Sequence, residues 1–274
     1  MVTFNNLSCT YTRNLPVLEK ITLDIPSGYI HGLLGKNGEG KSTLLKIISG
    51  LMFPNDGTCS VSHETPSERN ASFLSKIYFL QEDLVLPNTS AKNYFRTYAP
   101  FYPTFSNEIL HECISQFEIN EKDSIRKMSL GQKKKVAITL ALAANTPILL
   151  LDEPTNGLDI PSKSIFRKLL ASQMTDEKTI ILSTHQVRDL DSLIDSVIIL
   201  HNHKIVLHRN LVEIGDKLFF GIKETNATPL YTESTMLGDI CVSENVNNES
   251  SLVNVELLFN AVIRNPEIIK KIFV

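Results

Sequence analysis

The chain has 274 residues, more than one average domain, and is long enough to bury a core of its own. Its 27 basic and 30 acidic side chains leave a formal net charge of -3, which gives no global pull toward nucleic acid, and four scattered cysteines without C-x-x-C spacing suggest neither a zinc site nor a disulfide framework. Hydrophobic residues make up 42%, but the longest apolar stretch, Val136 to Ala144 broken by Thr139, is far short of the roughly 20 residues of a membrane span, and the N-terminus shows neither a basic segment nor an apolar signal core.

Residues 1 to 28 alternate apolar and polar positions (Ile21, Leu23, Ile25), with turns expected at Asn14 to Pro16 and Pro26 to Gly28, which predicts an antiparallel sheet. Tyr29 to Leu34 reads as a buried strand and Thr43 to Ser49 as a helix. Between them, Gly35-Lys36-Asn37-Gly38-Glu39-Gly40-Lys41-Ser42-Thr43 fits G-x-x-x-x-G-K-[ST], the phosphate-binding loop. Glycines at Gly35, Gly38 and Gly40 let the backbone wrap a polyphosphate. The N–H groups of the loop, Asn37 and Thr43 included, and the positive end of the following helix face the anion. Lys41 is expected to reach the outer phosphates and Ser42 to offer its hydroxyl to Mg²⁺. Glu39 is the oddity. A carboxylate aimed at phosphates would repel them, so it should project outward and leave only its amide in the cradle.

Two further strands are expected by residue 82. Residues 83 to about 130 are helix-like and rich in aromatics (Tyr94, Phe95, Tyr98, Phe101, Tyr102, Phe105), most of which should fill a small core. The run Lys133-Lys134-Lys135 reads as a solvated helix face rather than a nucleic-acid patch. Residues 131 to 200 then alternate helix and strand, with apolar runs at Ile148 to Leu151, Thr179 to Leu182 and Val197 to Leu200, the pattern of a mostly parallel sheet. The first of these ends in Asp152-Glu153, at the carboxyl end of a buried strand, where ligands sit in such sheets. Asp152 would hold the metal and Glu153 would polarise an attacking water; two adjacent carboxylates nearly imply a cation. His201-Asn202-His203-Lys204 is expected to be an exposed hairpin turn. Beyond residue 211 the pattern blurs, with a polar loop at Asn245 to Ser251 and an amphipathic helix at Val253 to Arg264.

With these pieces in place, the chain resembles the ATP-binding subunits of ABC transporters over about residues 1 to 210. Met128-Ser129-Leu130-Gly131-Gln132 looks like the signature motif, Gln81 falls at the Q-loop glutamine, Gly157-Leu158-Asp159 matches the D-loop, and His185 in Leu182-Ser183-Thr184-His185 matches the switch histidine. Tyr11 stands where the family stacks a ring on adenine. The resemblance implies an α/β P-loop NTPase (RecA-like), a mostly parallel sheet core with an antiparallel β subdomain, an inserted helical subdomain at about 83–130, and a small α+β appendage over 211–274. It implies ATP and Mg²⁺ as cofactors, with Gln81 at the metal or water and His185 at the γ-phosphate. Ser129, Gly131, Gln132 and Asp159 would serve the nucleotide held by a second copy, or by a paralogous ATPase subunit. It further implies a separate transmembrane permease, as in exporters, a cytoplasmic location on the inner membrane face through that permease, no nucleic-acid partner and no direct span. Where the family commonly has Ser-Gly-Gly-Gln, Leu130 replaces the first glycine, so its side chain must point away from the phosphates. The competing readings are a soluble ABC ATPase acting on ribosomes or DNA, and a nucleotide-sensing module that does not hydrolyse.

Overall fold

The structure is a computed structural model that describes residues 1–12, 15–187, 193–222, 229–236 and 238–273. The expected turn at Asn14 to Pro16 lies partly outside these residues. The chain opens with β1 (Val2–Thr12), β2 (Leu15–Ile25) and β3 (Tyr29–Leu34), then α1 (Lys41–Ile48), β4 (Asp56–Val61), α2 (Ala71–Ser75) and β5 (Ile77–Leu80). A helical stretch follows: α3 (Ala91–Tyr98), α4 (Asn107–Gln116) and α5 (Leu130–Ala143). The chain returns through β6 (Ile148–Asp152), α6 (Ile160–Ala171), β7 (Thr179–Thr184), β8 (Ser196–His201) and β9 (Lys204–Asn210). It closes with α7 (Leu211–Lys217), β10 (Leu218–Ile222), β11 (Tyr231–Thr235), β12 (Gly238–Glu244), α8 (Val255–Arg264) and α9 (Pro266–Ile272).

The main sheet has the order β5-β6-β7-β3-β8-β9, with β5 to β8 parallel and β9 returning antiparallel on β8. Its inner strands β3, β6, β7 and β8 are buried at nearly every position and mostly apolar, because both faces are covered. Alternation sorts the side chains: Ile148, Leu150, Ile181 and Ile198 join one core with α1 and the antiparallel sheet β2-β1-β4, whereas Leu149, Leu151, Ile180 and Ile199 join a second core with α5 and α6. Residues 1 to 28 therefore form the expected antiparallel sheet, with β4 completing it.

One expectation about an outlying segment changes. Lys134 is only 2% exposed, so the lysine run is not a uniformly solvated face; its middle member points inward while Lys133 and Lys135 remain partly exposed. The C-terminal sheet, ordered β10-β12-β11, is packed by α8, and its Leu218, Phe220 and Val242 share one continuous apolar core with Leu258 and Val262 and with the helices on the main sheet. The described residues after 211 thus form a small α+β unit whose apolar face packs on the helices of the main sheet.

Candidate functional site

Strand register brings the chemistry together. Leu34 pairs with Thr184, Asp152 with Ser183 and Leu80 with Leu151, so the residues that follow β3, β5, β6 and β7 emerge side by side at one carboxyl edge. The loop after β3 leads into α1, whose N-terminal residue Lys41 follows Gly40 in a left-handed conformation with φ 109°. A Cβ at Gly40 would meet the carbonyl oxygen of Val17 at 2.7 Å, so no other residue fits this approach. No side chain caps α1 and its first turn carries no acid, which leaves its N–H groups for an anion.

A cleft of about 580 Å³ opens here. Tyr11, Asn37, Gly38, Gly40, Lys41, Ser42 and Thr43 line one side, and Asp152 and Glu153 the other. The Tyr11 ring is 60% exposed, and its hydroxyl lies 2.8 Å from Thr43 Oγ1, which ties the antiparallel sheet to the start of α1. Lys41 is buried and donates from Nζ to Gly35 O at 2.8 Å and Lys36 O at 3.2 Å. Burial pushes its pKa below the ordinary lysine value, against the opposing pull of Glu153, Asp152, Glu82 and Glu39.

Glu153 sits in the left-handed region with φ 45°, an unfavourable conformation for glutamate that its surroundings hold. Its N–H donates to Ser183 O at 3.1 Å. Its carboxylate accepts from Thr184 Oγ1 at 3.2 Å and lies 2.8 Å from His185 Nδ1. An ionised carboxylate only accepts, so Nδ1 carries the hydrogen in that pair. Ser183 Oγ donates to Asp152. The oxygens of Ser42 and Asp152 are hard donors suited to Mg²⁺, which binds through one or two carboxylates plus substrate phosphates rather than a full protein cage. No cluster of three or more His, Cys, Asp or Glu able to hold a metal occurs among the described residues.

The remaining predicted residues divide. Gly35 is buried beneath the loop and supplies the carbonyl that Lys41 holds. His185 borders a smaller cavity of about 220 Å³ with Lys36, Asn37 and Phe259 of α8. Gln81 is exposed and does not line the cleft; its neighbour Glu82 does, with its carboxylate accepting from Asn156 Nδ2 at 3.0 Å. Ser129, Gly131, Gln132 and Asp159 also lie outside the cleft lining. Ser129 and Gln132 form a reciprocal capping box at the start of α5. Asp159 caps α6 through Ser162 N at 2.8 Å, and the hydrogen bonds to Ser162 hold its pKa below the usual value. Leu130, the first residue of α5, is 66% exposed and its side chain lies beside Gly157 of the D-loop.

Three residues escaped the sequence reading. Glu82 is one. Lys134 is another: burial pushes its pKa down, while Glu82, Asp152 and Glu153 pull it up, so a cation from the signature helix faces the acids of the cleft. His203 is the third, on the cleft wall although it lies in the β8–β9 turn.

A family model described as ABC transporter matches residues 18–156, from β2 through the two carboxylates after β6. This chain belongs to the ABC transporter ATP-binding family. It is 30% identical to the ABC transporter ATP-binding protein NatA of Bacillus subtilis, over 75% of this chain and 88% of that one. It is 28% identical to the lantibiotic transport ATP-binding protein SrtF of Streptococcus pyogenes, over 76% and 90%. Among solved structures, an ATP-binding subunit of an ABC transporter superposes with TM-score 0.71 at 28% identity, covering 78% of this chain and 91% of that one. The cassette MJ0796, a dimer in a post-hydrolysis state bound to ADP and Pi, gives 0.67 at 27% identity, covering 77% and 99%. As an ABC ATPase, the chain binds and hydrolyses ATP in work coupled to transport.

Proposed function

We propose that this chain is one half of an ATP-sandwich motor, in which the cleft of one copy is completed by the signature motif of another. The observation that carries this reading is the split of the recognition groups. Lys41, Ser42, Asp152 and Glu153 line one cleft, while Ser129, Gly131 and Asp159 of the same chain stand outside it. The uncapped donors of α1 face the phosphates of the bound nucleotide, and the exposed N-terminus of α5, capped by Ser129 and Gln132, faces those held by the partner copy. A two-fold arrangement satisfies both needs twice with one interface.

In that arrangement the Tyr11 ring stacks on adenine, and Lys41 exchanges the carbonyls of Gly35 and Lys36 for phosphate oxygens. Ser42 and Asp152 would hold Mg²⁺, which would supply charge neutralisation at the phosphates. Gln81 joins the metal or the water only if the loop after β5 turns it inward. Glu153 accepts a proton from the attacking water. Its carboxylate now holds His185 through Nδ1–H, so the ring must release that contact, or gain a proton on Nε2, before it can donate to the γ-phosphate. Hydrolysis opens the sandwich, and the difference in closure between ATP and ADP states drives a partner.

We place that partner on a separate transmembrane permease, with this chain peripheral on the cytoplasmic face. Among the described residues no helix is long and apolar enough to cross a membrane. Tyr98 and Phe101, tilted against each other with centroids 6.3 Å apart and exposed at and just beyond the end of α3, suit a permease helix. Size-exclusion chromatography with light scattering tests the sandwich: Mg²⁺ATP should convert a hydrolysis-blocked variant to a dimer. A monomer at saturating ATP would exclude a self-paired sandwich and leave only pairing with a paralogous subunit.

A further inference from the structure

Two oddities of the sequence meet in the fold. Glu39 of the phosphate loop turns away from the cleft as expected, yet into a buried pair rather than into solvent. Its Oε1 lies 3.1 Å from His201 Nδ1, and Oε2 accepts from the backbone N–H of His203 at 3.4 Å. The two side chains are only 12% and 16% exposed for Glu39 and His201, so the histidines are not the exposed turn residues the sequence suggested. Asn202 and His203 both have positive φ, 48° and 66°, as a two-residue hairpin turn requires. Glycine would sit more easily at His203. The histidine is held there by its ring, whose Nδ1 lies 3.2 Å from Val17 O. A carbonyl only accepts, so Nδ1 donates. Its own carbonyl accepts from Glu19 N at 2.8 Å. The β8–β9 turn is therefore fastened to the phosphate loop on one side and to β2 on the other.

We infer that Glu39, His201 and His203 form a clamp that fixes the phosphate loop against the base-side wall of the cleft, making them positioning residues for the nucleotide. The inference rests on the nucleotide reading of this cleft. A nucleotide needs its phosphate site and its base site at one separation, and here the two belong to different sheets. The loop follows β3 of the main sheet; Leu15, Pro16 and Val17, which line the cleft, belong to β2 of the antiparallel sheet. The clamp joins them through two hydrogen bonds to a carboxylate and two to the backbone of β2. A site held at the right separation before binding loses less freedom on binding.

The test compares equilibrium binding of Mg²⁺ATP with that of Mg²⁺ tripolyphosphate, which lacks the base. Glu39→Ala should weaken ATP about tenfold, the worth of one charge-assisted hydrogen bond, and leave tripolyphosphate within about twofold. Glu39→Gln should recover most of the lost affinity, because its amide oxygen still accepts from His203 N–H while its NH₂ donates to His201 Nδ1 in the other ring tautomer. Glu39→Ala with His201→Ala should be no weaker than Glu39→Ala alone, as coupled partners require. Should Glu39→Ala fail to fold, His201→Ala carries the same comparison: it removes the ring bond to Glu39 from outside the cleft lining, so ATP should weaken about threefold with tripolyphosphate unchanged. Equal losses for both ligands, or no loss for ATP, would overturn the clamp. A wild type that binds neither ligand would overturn the nucleotide site itself, and the clamp with it.

Discussion

Replacing Glu153 by glutamine separates catalysis from stability at the most constrained residue of the cleft. The carboxylate holds two donors, His185 Nδ1 at 2.8 Å and Thr184 Oγ1 at 3.2 Å. The amide keeps one acceptor oxygen for His185 and turns its NH₂ toward Thr184, whose hydroxyl can accept instead. The backbone stays in the same left-handed well, so the native state keeps both contacts and loses their charge assistance, at most the worth of one charged hydrogen bond, about 1.5–3 kcal/mol. The chemical step loses more. Removing a general base lowers the rate about 10²–10⁴-fold, roughly 3–5.5 kcal/mol of added barrier at 1.36 kcal/mol per decade. Removing one of two adjacent negative charges should also favour the phosphates, so ATP binding is kept or tightened. Phosphate release by the purified variant, read beside its thermal midpoint, checks both halves. Turnover within about threefold of wild type would refute the role of Glu153 as base.

Other expectations follow from the same geometry. Tyr11→Ala should weaken ATP by about 1–3 kcal/mol, the worth of a stacked base, whereas Tyr11→Phe should lose only the bond to Thr43; equal losses in titrations of the two variants would remove the stacking role. Leu130→Gly should change turnover by less than about threefold, because the Leu130 side chain already lies against Gly157; a large gain in phosphate release would mean that Leu130 obstructs the signature motif. His208 supplies a pH test. Burial, helped by the charges of His31 and Arg209, pushes its pKa down to about 4. The folded pKa lies below that of the unfolded chain, so the unfolded chain binds more protons between those values. Stability should be complete above the unfolded value near 6.5 and fall as pH drops toward 4, with a slope below about 1.36 kcal/mol per pH unit because the ring is partly exposed. Urea unfolding at pH 7 and pH 5 should show this loss, and His208→Gln should flatten it; an unchanged slope would clear His208 of the effect.

What the sequence reveals about this chain depends on range. The phosphate loop, the strand before it and Asp152-Glu153 are local patterns whose chemistry is visible in nine or ten consecutive residues. The parallel order follows because each apolar run is separated from the next by a helix. Longer reach defeats the reading. Glu39 and His201 are 162 residues apart, and nothing in either segment shows that the hairpin will close on the loop. Lys134 stands between two lysines that stay partly exposed, and composition alone cannot single out the one turned toward Glu82, Asp152 and Glu153. Gln81 and Glu82 differ by one position at the end of a short strand, where side chains alternate sides, so the motif places the pair and only the fold decides which one faces the cleft. The C-terminal strands were hard to see because β11 is a short edge strand with no buried residue, and its apolar support comes from α8.

The central claim is that each cleft is completed by the signature motif of another copy, and mixing two dead variants tests it most directly. Lys41→Ala cripples the phosphate loop and leaves the signature intact; Gly131→Trp blocks the signature, where even a Cβ would meet Gly157 O at 3.0 Å, and leaves the loop intact. Each alone should be inactive. Mixed in equal amounts, half the dimers pair unlike copies, and each such dimer has one complete composite site, so about a quarter of wild-type phosphate release should return. A mixture as inactive as its components would contradict completion in trans.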